Sequence, residues 1–291
     1  MNISGHTVPF AVLGHPIGHT LSPIMHNASF EALGKNSVYL AFNVAPEKLM
    51  STLPAMRAMG FGGVNLTVPL KEVAYTGLLE IEDGLDESAR LVGAVNTVVF
   101  PENGGMKGYN TDGYGFLRAL EESFGEHIDK KSVLILGSGG AGRALAITCA
   151  IEGAKAICVA DIDTVRAQKV KEELLALGKD VLVNVVSAGG NELIQACETV
   201  DLVIQATPVG MKKEDKPLLY TDAFHAGQMV FDLIYMFPET AILSEAKKSG
   251  ARIANGLGML LHQGALAYEH WTGEQARVAA MREALEHSVY G

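Results

Sequence analysis

Lys71 and Thr67 are the first two residues whose types and spacing suggest chemistry. They lie in Leu66-Thr67-Val68-Pro69-Leu70-Lys71, a hydroxyl and an ammonium on either side of a proline. A hydroxyl can hold a polar ligand, and a lysine kept beside a reacting oxygen can give and take a proton. Proline suits a first helical turn. If a helix starts there, residues four apart share one face. A lysine after a strand is more often a solvated surface charge, so the stretch needs support from elsewhere in the chain.

A second candidate is Gly137-Ser138-Gly139-Gly140-Ala141-Gly142. Gly137, Gly139 and Gly142 have the G-x-G-x-x-G spacing, directly after the apolar run Ser132 to Leu136 and at the head of an expected helix. Such glycines make a tight turn and let the backbone approach a pyrophosphate, while the helix N-terminus offers free N–H groups. Asp161 ends the next expected strand, about 20 residues on, as the dinucleotide-binding pattern requires. A carboxylate there accepts from ribose hydroxyls and repels a 2′-phosphate. Ile162 and Asp163 add no cation, although Arg166 is near. A preference for NAD over NADP is therefore expected. The plain alternatives are a structural turn and an Asp161 that merely caps the helix starting near Thr164.

The elements that must position these groups follow from composition and periodicity. The chain has 291 residues, 48% hydrophobic and 19% charged, which is enough for a sizeable core in one or two domains. Its 32 glycines without a repeat fit an α/β protein with many tight turns. The net charge of -10 argues against a nucleic-acid partner, which would want a basic stripe. Cys149, Cys158 and Cys197 form no C-x-x-C pair and read as reduced thiols of a cytoplasmic protein. No signal peptide or membrane span is expected. His15, His19 and His26 lack a thiol or carboxylate at ligand spacing, so no metal is expected.

Along the chain, strands are expected at Val8 to Gly14, Val38 to Val44 and Gly63 to Val68, alternating with helices from Pro23 through Leu33 and from Pro46 to Met59. That order predicts a mostly parallel sheet. Ala94 to Phe100 and Met106 to Asn110 flank Pro101-Glu102-Asn103-Gly104-Gly105 and read as a hairpin. The character changes at Asp112, which opens an amphipathic helix. Regular helix–strand alternation then runs to about Ser249, and the end from Gly256 looks helical. The fold class is α/β: an N-terminal, mostly parallel α/β substrate domain (1–111), a Rossmann domain (112–255) and C-terminal helices (256–291).

With these pieces placed, the chain resembles the shikimate dehydrogenase family, which includes the quinate/shikimate dehydrogenases. The resemblance spans nearly the whole chain. It rests on Gly14-His15-Pro16-Ile17-Gly18-His19-Thr20-Leu21-Ser22-Pro23 with His26-Asn27, Asn65 to Lys71, Gly93-Ala94-Val95-Asn96-Thr97 and Gly108-Tyr109-Asn110-Thr111-Asp112-Gly113. The glycine loop, Ala206-Thr207-Pro208-Val209-Gly210-Met211 and Gly258-Met259-Leu260-Leu261-His262-Gln263-Gly264 follow in the family's order.

The resemblance implies a substrate domain, then a Rossmann domain, with the last helices returning to the first and the site in the cleft. The implied reaction is reversible hydride transfer between a nicotinamide and the carbon bearing the 3-oxygen of shikimate or 3-dehydroshikimate, without a metal, in aromatic amino-acid biosynthesis. Thr20 and Ser22 match the hydroxyls that grip the substrate carboxylate. Thr67, Lys71, Asn96, Asp112 and Gln263 match residues holding the ring hydroxyls, and Lys71 with Asp112 matches the catalytic pair. Tyr235 matches a tyrosine that approaches substrate. Gly256 and the loop from Ala206, Thr207 and Pro208 to Met211 lie where the family positions the nicotinamide.

Two positions depart from the biosynthetic pattern. Thr20 stands where serine is usual. Asp161-Ile162-Asp163 stands where Asn-Arg-Thr often holds the NADP phosphate, as in the NAD-using quinate/shikimate branch. The expected enzyme uses NAD by preference, or NADP, and acts on shikimate as a monomer or homodimer. Alternatives are a catabolic quinate/shikimate dehydrogenase and a non-catalytic dinucleotide-binding sensor. The sensor reading has no use for the pair Lys71 and Asp112.

Overall fold

Two sheets organise the chain, which is described at residues 3–101 and 104–291 in a computed structural model. They belong to two units: residues 1–115 with 260–289 and 291, and residues 116–259 with 290.

The first unit begins β1 (Val8–Gly14), α1 (Ser22–Ala32), β2 (Ser37–Asn43), α2 (Leu49–Ala58), β3 (Gly63–Leu66), α3 (Leu70–Leu79) and α4 (Glu87–Val92). The hairpin strands β4 (Thr97–Val99) and β5 (Lys107–Tyr109) follow. Its five-stranded sheet has the order β2-β1-β3-β4-β5. β1 runs parallel to β2 and β3, and the hairpin adds two antiparallel pairings. Glu102 and Asn103, within the expected turn, lie outside the described residues. β1 lies between β2 and β3 and is buried along most of its length, so it reads as an apolar run. One face buries Ala11, Leu13, Val64 and Leu66 with Leu49, Leu53, Leu70 and Leu78 of the helices.

The second unit takes most of α5 (Asp112–Phe124) and then alternates strictly: β6 (Ser132–Leu136), α6 (Gly140–Ile151), β7 (Ala156–Asp161), α7 (Thr164–Ala176), β8 (Leu182–Ser187), α8 (Gly190–Glu198) and β9 (Leu202–Gln205). It ends with β10 (Met229–Asp232), α9 (Ala241–Lys248) and β11 (Arg252–Asn255). The six strands are parallel, in the order β11-β10-β9-β6-β7-β8. This is the doubly wound Rossmann arrangement, whose strand order reverses between β6 and β9.

The chain closes with α10 (Leu257–Thr272) and α11 (Val278–Tyr290). From Leu260 to Val289 they belong to the first unit. Trp271 anchors them there: its Nε1 donates to the Val98 carbonyl at 3.1 Å. Its ring fills the space that a side chain on Gly63 would need, 2.2 Å from an ideal Cβ.

Local differences from the periodicity have physical causes. α3 starts at Leu70, so Thr67 precedes the helix and does not share a helical face with Lys71. The expected helix from Pro46 is a 3-10 turn to Lys48 followed by α2. β11 has only four residues, one of them β-branched, and is defined by pairing with β10 rather than by its own pattern.

Candidate functional site

In the first unit, α3 begins one residue before Lys71 and α5 begins at Asp112. Their side chains meet: Lys71 Nζ donates to Asp112 Oδ2 at 2.6 Å. Asn96, the residue before β4, donates its amide to Asp112 Oδ1 and to Thr111 Oγ1, both at 2.9 Å. The same amide reaches Gln263 Oε1 of α10 at 3.5 Å. Although Asp112 opens α5, its carboxylate oxygens go to Lys71 and Asn96. Lys71 keeps 28% of its side-chain surface and Asp112 13%, so the pair is sheltered yet reachable.

Thr20 and Ser22 lie side by side before and at the start of α1. The Thr20 hydroxyl donates to Ser22 Oγ at 3.3 Å, and Ser22 N–H donates back to Thr20 Oγ1 at 3.3 Å. Ser22 makes no cap bond, because α1 takes Leu21 at that position. Thr67 sits against β1, with its methyl 2.5 Å from where a Gly14 Cβ would fall. The ammonium, the carboxylate and the two amides are joined by contacts, a set that can bind hydroxyls and move one proton.

In the second unit, the glycine loop joins β6 to α6 at the strand-order reversal, where open α/β sheets bind ligands. Gly137 has φ +95°, and an added Cβ would lie 3.0 Å from the Ala206 carbonyl oxygen. A Cβ on Gly142 would strike the Gly137 carbonyl oxygen at 1.9 Å. At Gly139 and Gly140 a Cβ would meet nothing within 4 Å. The loop is thus closed against itself and against Ala206 and Thr207, which follow β9, and open at Gly139 and Gly140, as a pyrophosphate cradle requires. A cavity of about 390 Å³ lies beside it, lined among others by Gly137, Gly139, Asp161, Arg166, Thr207 and Pro208. Ser138, Gly140 and Ala141 complete the loop, and Ala206 is also in the lining. The donor set and the open glycines fit a nicotinamide dinucleotide.

Asp161 does not cap α7; Asp163 does, accepting from Arg166 N–H at 3.0 Å. The Asp161 carboxylate instead turns to the glycine loop. Oδ2 accepts from Ser138 N–H and from its hydroxyl, both at 2.6 Å, and Oδ1 accepts from Asp163 N–H at 2.8 Å. Arg166 adds a fork to both oxygens at 2.9 and 3.1 Å. Burial works to raise the pKa of this carboxyl, but the bonds from Ser138, Asp163 and Arg166 outweigh it and hold the pKa at about 2.

Tyr235 and Gly256 also belong to the second unit. Burial raises the Tyr235 hydroxyl above its ordinary range. Gly256 has a packing reason of its own: a Cβ there would lie 2.0 Å from the Leu233 carbonyl oxygen. Asn65, Thr97 and Thr111, which carry no assigned role in the sequence pattern, also bond to Asn96. Their only signal was membership of the same short motifs. Among the described residues no cluster of His, Cys, Asp and Glu is arranged to hold a metal. No helix among them is long and apolar enough to cross a membrane.

Known proteins give this geometry a context. Residues 12–98 match the family model of the shikimate dehydrogenase substrate binding domain, and residues 256–286 match that of the shikimate 5'-dehydrogenase C-terminal domain. The shikimate dehydrogenase (NADP(+)) of Methanopyrus kandleri is 45% identical, covering 99% of this chain and 98% of its own. The shikimate 5-dehydrogenase of Listeria monocytogenes, solved with shikimate and NAD, is 35% identical with a TM-score of 0.89, covering 98% of each chain. The quinate dehydrogenase of Corynebacterium glutamicum, solved with NAD, is 31% identical with a TM-score of 0.87, covering 97% of this chain and 99% of its own. The name of the Methanopyrus protein carries NADP(+), so it lends no support to an NAD preference.

Proposed function

The chain belongs to the shikimate dehydrogenase family, and we propose that it interconverts 3-dehydroshikimate and shikimate with Lys71 and Asp112 moving the proton. The observation that carries this reading is the 2.6 Å contact between Lys71 Nζ and Asp112 Oδ2, with Asn96 on the other carboxylate oxygen.

The dinucleotide, when bound, supplies or accepts the hydride. Everything else falls to side chains of the first unit. Thr20 and Ser22 donate their hydroxyls to the substrate carboxylate. Thr67, Asn96 and Gln263 hold ring hydroxyls, using groups that both donate and accept. In the reducing direction, Lys71 gives a proton to the oxygen that gains charge as the carbonyl is reduced. Asp112 keeps the ammonium oriented and charged until then. In the oxidising direction Lys71, deprotonated, takes the proton back. Within the second unit, Ala206, Thr207, Pro208 and Gly256 would hold the nicotinamide end of the dinucleotide.

The finer cofactor reading is use of both dinucleotides with NAD modestly favoured. Asp161 and Asp163 oppose a 2′-phosphate, which supports NAD. Arg166 cancels one of those charges locally, and a guanidinium is a good phosphate partner. The chain acts as a monomer or homodimer. Quinate is the second substrate reading, favoured by the likeness to the Corynebacterium enzyme.

Mixing the purified protein with shikimate or quinate, each with NAD or NADP, and following absorbance of the reduced nicotinamide tests the whole reading. Turnover with shikimate is expected. Turnover with quinate alone would move the assignment to the second substrate, and binding without turnover would leave only a sensor.

A further inference from the structure

Tyr39, in β2, is 1% exposed and held on three sides within the first unit. The His26 imidazole stacks on its ring, with centroids 4.3 Å apart and planes 13° from parallel. Asn27 clamps its backbone, accepting from Tyr39 N–H at 2.8 Å and donating to the Tyr39 carbonyl at 2.9 Å. The phenol hydroxyl donates to Asn65 Oδ1 at 2.6 Å. Asn65 Nδ2 donates to Thr97 Oγ1 at 3.0 Å, and the Thr97 hydroxyl donates to Asn96 Oδ1 at 2.9 Å. Asn96 Nδ2 then donates to Asp112 Oδ1 at 2.9 Å.

Every bond in this chain donates toward the Asp112 carboxylate. Two backbone groups forbid the reverse direction. Asn65 Nδ2 also donates to the Asn96 carbonyl at 3.1 Å, and Asn96 Oδ1 also accepts from Thr111 N–H at 2.9 Å. A carbonyl can only accept and a backbone N–H can only donate, so both amides have their orientation set. Aligned bonds in a low-dielectric interior strengthen one another. The far end therefore needs a group that donates into Asn65, and the tyrosine hydroxyl is that group.

We propose that Tyr39 is a positioning residue for the reaction: it heads a one-way hydrogen-bond chain, through Asn65 and Thr97, that aims the Asn96 amide at Asp112 and so holds Lys71 in place. This rests on the reading of Lys71 and Asp112 as the proton-transfer pair. Tyr39 is not itself assigned to the reacting atoms; it acts through Asn65, Thr97 and Asn96.

The test uses Tyr39→Phe, which keeps the ring and its stack on His26, and Thr97→Val, which cuts the same chain further along. For each, kcat/KM is measured across pH, with thermal unfolding alongside. A carboxylate supported by a weaker donor takes a proton more readily. The acid limb of the profile should therefore move to higher pH, and kcat/KM should fall about tenfold, the scale of one hydrogen bond. The double variant should shift no further than the larger single change. A lowered melting temperature with an unmoved limb, or shifts that add, would overturn the proposal. If Tyr39→Phe does not fold, the position of the limb in Thr97→Val decides. Lys71→Ala run in parallel separates the two readings. Normal turnover there removes the proton-transfer pair, whereas lost turnover there with an unmoved limb in Tyr39→Phe removes the hydrogen-bond chain alone.

Discussion

The guanidinium of Arg166 folds back onto the carboxylate five residues before it, with Nη2 2.9 and 3.1 Å from the two oxygens of Asp161. Its Nε also reaches Ser138 Oγ at 3.3 Å, so one side chain ties α7 to both β7 and the glycine loop. A carboxylate expected to accept from the ribose and repel a 2′-phosphate is partly neutralised by a cation that remains 48% exposed.

Replacing that cation should therefore sharpen cofactor choice. Arg166→Gln removes the phosphate partner and leaves Asp161 with its bonds from Ser138 and Asp163. The NAD-to-NADP ratio of kcat/KM should rise about tenfold or more, the scale of one hydrogen bond to a charged group. Parallel steady-state kinetics with the two dinucleotides read this directly. An unchanged ratio would remove Arg166 from the cofactor argument.

Lys71→Ala should lower kcat/KM in both directions by about 10² or more, the usual contribution of a positioned acid–base group. Asp112→Asn keeps the shape and leaves the Lys71 ammonium without its counter-charge, so it should lose activity on a similar scale. Dinucleotide binding, followed by fluorescence titration, should be unaffected in both, since the glycine loop belongs to the other unit.

Two glycines of the loop should respond in opposite ways to one added methyl. Gly142→Ala puts a Cβ 1.9 Å from the Gly137 carbonyl oxygen, so the loop or α6 must shift. Thermal stability and dinucleotide affinity should both fall. Gly139→Ala meets nothing within 4 Å in the protein, so the melting temperature should hold while dinucleotide affinity falls. A Gly139→Ala protein with full affinity would mean that the ligand does not approach this face of the loop.

His26 makes acid stability a further readout. Its ring is wholly buried, and neither nitrogen has a hydrogen-bond partner among the described residues. Tyr39 and Trp271 are its ring neighbours. Burial drives its pKa from 6.5 down to about 3. The unfolded chain thus binds a proton that the folded chain refuses between those values. The contribution is fully present above pH 6.5 and is lost as pH falls toward 3, at roughly 1.4 kcal/mol per pH unit. Denaturant unfolding from pH 7 to pH 4 should show a shallower loss for His26→Leu than for the parent chain. Equal slopes would show that His26 is not the group responsible.

Part of this was legible in the residues alone. The glycine loop is local: three glycines after an apolar strand and before a helix dictate a turn whose backbone can approach a ligand, and Gly137, Gly139 and Gly142 are found in that setting. The strand–helix alternation was readable for the same reason, since each element carries its own period. β11 was not, because four residues carry too little pattern and gain their identity only from the Met229–Asp232 strand beside them.

The chemistry of the site depended on distance in the fold. Lys71 and Asp112 are 41 positions apart, and nothing in their spacing makes them neighbours. They meet because β3 hands the chain to α3 while the β4–β5 hairpin returns it to the head of α5. The hydrogen-bond chain from Tyr39 to Asp112 draws on four separate strands and helix starts. Asp161 was identified from sequence as the acidic residue at the end of the second Rossmann strand. That its charge is shared with Arg166 was decided only when α7 packed beside β7, because a side chain's hydrogen bonds are set by what surrounds it. Residue type and local order determined which groups were available; the packing of helices on sheets decided which of them act on one another.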